Sequence, residues 1–165
     1  EYDRAIQDFN QAILISPSAN FYNNRGVAQY RKGDYGRAIQ DFDQAIHLNA
    51  NYLSAYESRG YAYSAQSDGT AALTDFIHVI STAPSSSSAV SSALMLHVIM
   101  RRQGHDDAAQ LERVAAGADL SKWPGPLLKL DLGQATADEV MVAAASPLGR
   151  SGRFAPPTTS SARTR

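Results

Sequence analysis

The residues with the widest chemical repertoire in this chain are four histidines, His47, His78, His97 and His105, and two adjacent carboxylates, Asp106 and Asp107. A zinc site would need such ligands at tight spacing, and a zinc hydrolase would add a glutamate beside a histidine pair. The histidines are scattered and no glutamate completes that pattern, so they read as surface or packing residues. Neighbouring residues on a helix diverge by about 100°, which keeps Asp106 and Asp107 from acting as one acid–base pair. They fit better as favourable negative charge near a helix N-terminus. The absence of cysteine removes disulfides, thiolate metal ligands and cysteine nucleophiles. No glycine-rich phosphate loop and no serine in a nucleophile elbow is present. The chemistry therefore points away from an enzyme, and no metal or cofactor is expected.

Composition narrows the remaining classes. At 165 residues and 44% hydrophobic content, the chain is long enough for one domain with a core. The net charge of −1 conceals an asymmetry: residues 1–84 carry nine acidic and six basic groups, residues 85–165 seven and nine. Neither half is basic enough to suggest nucleic acid. The longest apolar stretch, residues 93–100, is interrupted by His97 and falls far short of the roughly 20 residues that span a bilayer. No transmembrane helix is expected. No signal peptide is legible after Glu1, and the residues themselves assign no compartment.

Self-comparison supplies the architecture. The segment EYDRAIQDFNQAILISP at 1–17 returns as DYGRAIQDFDQAIHLNA at 34–50 and, more weakly, as DGTAALTDFIHVISTAP at 68–84. In front of the second and third copies stand FYNNRGVAQYRKG and AYESRGYAYSAQS, matched through Arg25-Gly26 and Arg59-Gly60. Each unit is two helices, with Ala38, Phe42 and Ala45, then Ala72, Phe76 and Val79, at helical offsets. Gly33-Asp34 breaks the first hairpin, and Pro17 and Pro84 end second helices. Gly26 and Gly60 are expected where the two helices of a hairpin cross, against Ala38 and Ala72. Phe42 and Phe76 are expected to fill the gap between successive hairpins, where stacking makes the core.

These residues and their spacing of 33 to 34 resemble the tetratricopeptide repeat (TPR) family, and the likeness covers residues 1–84. It implies an all-α, right-handed superhelical solenoid of antiparallel helix pairs with a concave binding groove. Three departures stand out: Ala50 where the family usually has proline, Val79 where it usually has alanine, and Ser67 where Gly33 stands one repeat earlier. Repeat one lacks its first helix, so Ile6, Phe9 and Ile13 lose part of their cover: either the chain is truncated there or something upstream, including another copy, packs on them, and self-association is also favoured.

In that family the first helix of each hairpin lines the groove. Stepping away from the glycine face gives Asn20, Asn23, Asn24, Val27, Tyr30 and Arg31, then Ser54, Glu57, Ser58, Tyr61 and Ser64. Amides can bond an extended backbone, and a tyrosine offers area at little entropic cost. The alternative is a solvated helix face. Some members clamp a C-terminal carboxylate with cations and asparagines, and Asn23 and Asn24 suit that role. Glu57 and Tyr61 stand where positive charge is needed, however, and Glu57 would repel an acidic tail. Helical-repeat RNA binding would need a basic groove, which Glu57 and the acidic N-terminal half disfavour.

The C-terminal half is less regular. Residues 85–88 read as a loop or helix start, 90–102 as a helix stopped by Gly104, and 106–116 as a second helix, making a diverged fourth hairpin. Residues 119–145 predict two short helices with Trp123 anchored on the preceding hairpin, a ligand-stacking role being the alternative. The Arg-Arg-x-Gly, Trp-Pro-x-Pro-Leu-Leu and Leu-Gly elements are similar to bacterial TPR lipoproteins related to new lipoprotein I, which implies an adaptor in the cell envelope. Residues 146–165 hold four arginines and no acid among Ser, Thr, Pro, Gly and Ala, and are expected to be disordered, as a native, truncated or frame-shifted end. The expected function is a scaffold that binds a protein or peptide, with self-association favoured. The alternative is an accessory module of a larger protein with its catalytic domain elsewhere.

Overall fold

The computed structural model describes residues 1–102, 104, 108–117, 125, 129 and 139. Within them the chain is an all-α solenoid whose helices pack one after another: α1 (Tyr2–Ile15), α2 (Ala19–Arg31), α3 (Tyr35–Leu48), α4 (Leu53–Ala65), α5 (Gly69–Thr82), α6 (Ser87–Arg102) and α7 (Ala108–Gly117). The hairpins α2–α3 and α4–α5 are the sequence repeats made physical.

Local chemistry fixes where each helix starts and stops. Ser18 Oγ accepts the Phe21 amide at 3.3 Å, and Asp34 and Asp68 side chains accept the amides of Arg37 and Ala71 at 3.4 and 3.1 Å. These N-caps satisfy donors that no intrahelical carbonyl can reach. The α2–α3 turn closes with the Asp34 amide donating to the Gln29 carbonyl and that of Gly33 to the Tyr30 carbonyl, both at 2.9 Å. That is a Schellman ending, and it needs a left-handed residue, supplied by Gly33 at φ 84°. The α4–α5 turn repeats both bonds, from Asp68 to Tyr63 and from Ser67 to Ser64, with Ser67 holding φ 65°. A serine pays about 1 kcal/mol or more for that conformation. The two turns thus share one geometry although their residues differ.

At residue 50, where proline was to be expected, α3 has already ended at Leu48, and the Asn49 side chain turns the chain by accepting the Asn51 amide at 3.1 Å. Helix α6 begins at Ser87, three residues before the position read from hydrophobic spacing. The cause is Ser86, whose Oγ accepts the Ala89 amide at 3.0 Å. Gly104 follows α6 with φ 77°. The expectations for His105, Asp106 and Asp107, for Trp123 and the short helices of 119–145, and for the tail of 146–165 lie outside the described residues.

The core runs through the hairpin crossings. A Cβ on Gly26 would come within 2.7 Å of Phe42 Cε1 and 3.1 Å of the Ala38 carbonyl oxygen, and one on Gly60 within 2.8 Å of Phe76 Cε1. The phenylalanine rings therefore sit over the glycine of their own hairpin. Phe42, Phe76, Ala38 and Ala72 are fully buried in a cluster that also takes in Tyr30, Tyr61, Ala62 and Ile99. The cluster extends from α2 to α6, so the rings serve both their own crossing and the stack. Ala45 and Val79 are buried as well, while Pro84 is exposed. A second cluster of Ile80, Ala89, Val90, Ala93 and Leu96 joins α5 to α6.

Candidate partner-binding groove

The stacking pattern distinguishes two sides of the array. Beyond the sequential contacts, α2 packs on α4 and α4 on α6, and no comparable packing joins α1 to α3 or α3 to α5. Helices close on one side and splayed on the other curve the array, and α2, α4 and α6 line its inner side. The residues expected in the groove all lie on α2 and α4.

Their environments are not alike. Asn20, Asn24, Arg31 and Ser54 are exposed, and Val27, Glu57 and Ser64 are half-buried. Asn23, Tyr30, Ser58 and Tyr61 are only 6%, 7%, 3% and 8% exposed. Successive inner helices touch, so part of the face opposite the glycines is consumed by packing. Tyr30 and Tyr61 belong to the core cluster, Tyr61 meeting Phe76 edge-on with centroids 5.4 Å apart. Ser64 Oγ donates to the Gly60 carbonyl at 2.9 Å. Asn23 Oδ1 has no hydrogen-bond partner among the described residues.

Polar bridges tie the inner helices together. Tyr52 Oη, at the start of α4, donates to Asn20 Oδ1 at 2.7 Å. Burial pushes the Glu57 carboxyl above its ordinary range, against the opposing effect of hydrogen bonds with Ser88 and Ser91 of α6. Burial also raises the Tyr61 phenol, and the nearby Glu57 charge adds to that effect. Among these residues the inner surface offers amides, hydroxyls, the Glu57 carboxyl and the Arg31 guanidinium. Nearer the outer turns, a cleft of about 270 Å³ is lined by Asp3, Gln7, Gln29, Lys32, Asp34 and Arg37. Lys32 hydrogen-bonds Asp3 there and holds its carboxyl below the usual range.

Residues 19–52, spanning α2, α3 and the approach to α4, match the family model for the tetratricopeptide repeat. The chain carries this repeat. No match was found among curated proteins. The TPR marks a protein–protein interaction module, and an all-helical fold of this kind is typically a non-enzymatic scaffold. Among the described residues no helix is long and apolar enough to cross a membrane, and no cluster of three or more potential metal ligands occurs.

Sequence reasoning passed over one recurrent feature of these TPR hairpins. Arg25 of α2 donates Nε and Nη2 to the two carboxylate oxygens of Asp41 at 2.7 and 2.6 Å, and Nη1 to Asn10 of α1 at 2.6 Å. Arg59 of α4 repeats this with Asp75 at 2.9 and 2.7 Å and with Asp43 of α3 at 2.6 Å. A tyrosine ring flanks each guanidinium, Tyr22 at 5.5 Å and Tyr56 at 5.4 Å. The Asp75 hydrogen bond outweighs burial and pushes the Arg59 guanidinium further up. Each arginine therefore binds both helices of its own hairpin to the hairpin before it. The signal was present: arginine and aspartate recur together, 16 residues apart in both copies.

Proposed function

We propose that this chain is an adaptor that holds a segment of a partner protein along the inner face of α2, α4 and α6. The observation that carries this reading is the set of exposed hydrogen-bonding side chains, Asn20, Asn24, Arg31 and Ser54, on the inner side of a curved helical array. Amides can meet the donors and acceptors of an extended backbone, and Val27 offers a half-buried apolar floor. Glu57 disfavours an acidic ligand, so a neutral or basic segment suits the surface better. Placement in a bacterial envelope complex rests on the likeness of the C-terminal motifs to new lipoprotein I relatives.

The reading is tested by affinity capture from a bacterial envelope extract with the wild type and an Asn24→Ala, Arg31→Ala double variant. Both residues are exposed, so the variant is expected to keep its helical circular dichroism and its melting temperature. A partner captured by the wild type should be retained at least about tenfold less by the variant, the effect of losing about 1.4 kcal/mol of binding energy. Identical captured proteins in identical yield would remove the groove assignment.

A further inference from the structure

The inner face is built in rows whose members recur every 34 residues. Asn20, Ser54 and Ser88 form one row across α2, α4 and α6, and Asn23, Glu57 and Ser91 form the next. Glu57 is the charged member of the two rows, and the others are amides or hydroxyls. Its surroundings differ from those of the buried aspartates. Asp41 and Asp75 each receive a two-pronged arginine, whereas no guanidinium or ammonium among the described residues pairs with Glu57. The donors that do reach it, Ser88 and Ser91 of α6, fall short of the roughly four lone-pair sites of a carboxylate. A serine has one proton to give, and that of Ser91 is also directed at the Ser87 carbonyl at 3.1 Å, while the Tyr61 phenol bonds the same hydroxyl. Burial outweighs what the two serines return and holds the carboxyl above its ordinary range.

Glu57, Ser88 and Ser91 are half-buried and not sealed, so a side chain lying along the inner face can reach all three. A partly desolvated anion short of donors is completed by a cation that brings several N–H groups. Resting on the inner-face groove proposed above, we infer that Glu57, Ser88 and Ser91 form a subsite for one basic side chain, lysine or arginine, of the bound partner segment. The incoming cation donates to the carboxylate, and the serine oxygens keep lone pairs to accept from it. Asn23, at the same position of the preceding hairpin, is neutral, which confines the preference to the residue of the segment that lies over α4. A tether between α4 and α6 would not need the charge: a glutamine amide at residue 57 could hydrogen-bond both serines. The carboxylate is required by an arriving cation.

The probe is an array of immobilised peptides, each with one fixed central residue and randomised flanks, overlaid with the labelled full chain. Peptides centred on lysine or arginine should retain the wild type at least about tenfold more than those centred on alanine, as a charge-assisted pair requires. Glu57→Gln should remove that preference while leaving the melting temperature and the retention by alanine-centred peptides unchanged. A second measurement needs no substitution: carbon-detected NMR of the Glu57 carboxyl should show it titrating above its ordinary range in the free chain and lower once a lysine- or arginine-centred peptide is bound. The subsite is overturned by a wild type without basic preference, by a preference that survives Glu57→Gln, or by a Glu57 that already titrates low in the free chain, since a cation of the chain itself would then hold it. The Asn24→Ala, Arg31→Ala variant separates this from the groove reading. It should be retained less at every central residue. If it is not, or if the wild type is not retained at all, the inner-face reading fails and takes the subsite with it. If it is, and the wild type shows no basic preference, the subsite alone fails.

Discussion

The junction between α3 and α4 and that between α5 and α6 join successive hairpins by different chemistry. At the first, Arg59 grips Asp75 within its hairpin and Asp43 across the junction. At the second, the position of Asp43 is occupied by Ile77, 48% exposed, and 34 residues beyond Arg59-Gly60 stand the buried Ala93 and the half-buried Leu94. The apolar cluster of Ile80, Ala89, Val90, Ala93 and Leu96 does the joining there. Apolar packing is non-directional, whereas a bidentate arginine fixes distance and angle. The same stacking is therefore geometrically specified at one junction and filled by volume at the next.

Three substitutions would break or sharpen this contrast. The largest effect is expected from Asp75→Ala, which leaves the Arg59 guanidinium desolvated and without its main partner. Arg59 keeps Asp43 and some solvent, so the loss of its two charged hydrogen bonds to Asp75 is expected to cost about 2–3 kcal/mol, measurable as a lower midpoint in urea unfolding. An unchanged midpoint would mean that the ionic junction contributes no more than the apolar one. Gly60→Ala sets two effects against each other. Alanine gains about 1 kcal/mol of helix propensity over glycine, but its Cβ would press to 2.8 Å on the Phe76 ring, which the core holds in place. Overpacking costs about 1–3 kcal/mol, so a net loss is expected. A gain in melting temperature would show that the ring yields. The smallest effect has the opposite sign: Ser92→Ala removes a buried hydroxyl without a partner among the described residues. Stability should stay level or rise by up to about 1 kcal/mol, and a clear loss would reveal polar support at the second junction.

The repeat, its hairpins and the residues of its crossings were legible because they recur. Gly26 with Phe42 and Gly60 with Phe76 can be aligned without any coordinates, and their roles follow from size alone. The inner face was legible as a direction but not in detail. Helical stepping placed Asn23, Tyr30, Ser58 and Tyr61 opposite the glycines, yet it carries no information about how closely α2 approaches α4. That distance decides which side chains are sealed. The arginine pairs were written in the spacing, but a hydrophobic-period reading assigns charged residues to the solvent side and passes over those that are buried in pairs. Ser86 as the start of α6 was hidden among four consecutive serines, where composition cannot tell which hydroxyl caps the helix.

The arginine clasp also governs how such an array can lengthen by gene duplication. The hairpin of α2 and α3 brings Arg25 to its predecessor and offers Asp43 to its successor, so a tandem copy would find its counterpart ready. The hairpin of α4 and α5 brings Arg59 but offers Ile77, and a copy placed after it would meet an aliphatic side chain. A copy of the first unit would thereby inherit the clasp, whereas whatever follows the second must join by apolar packing, as α6 does.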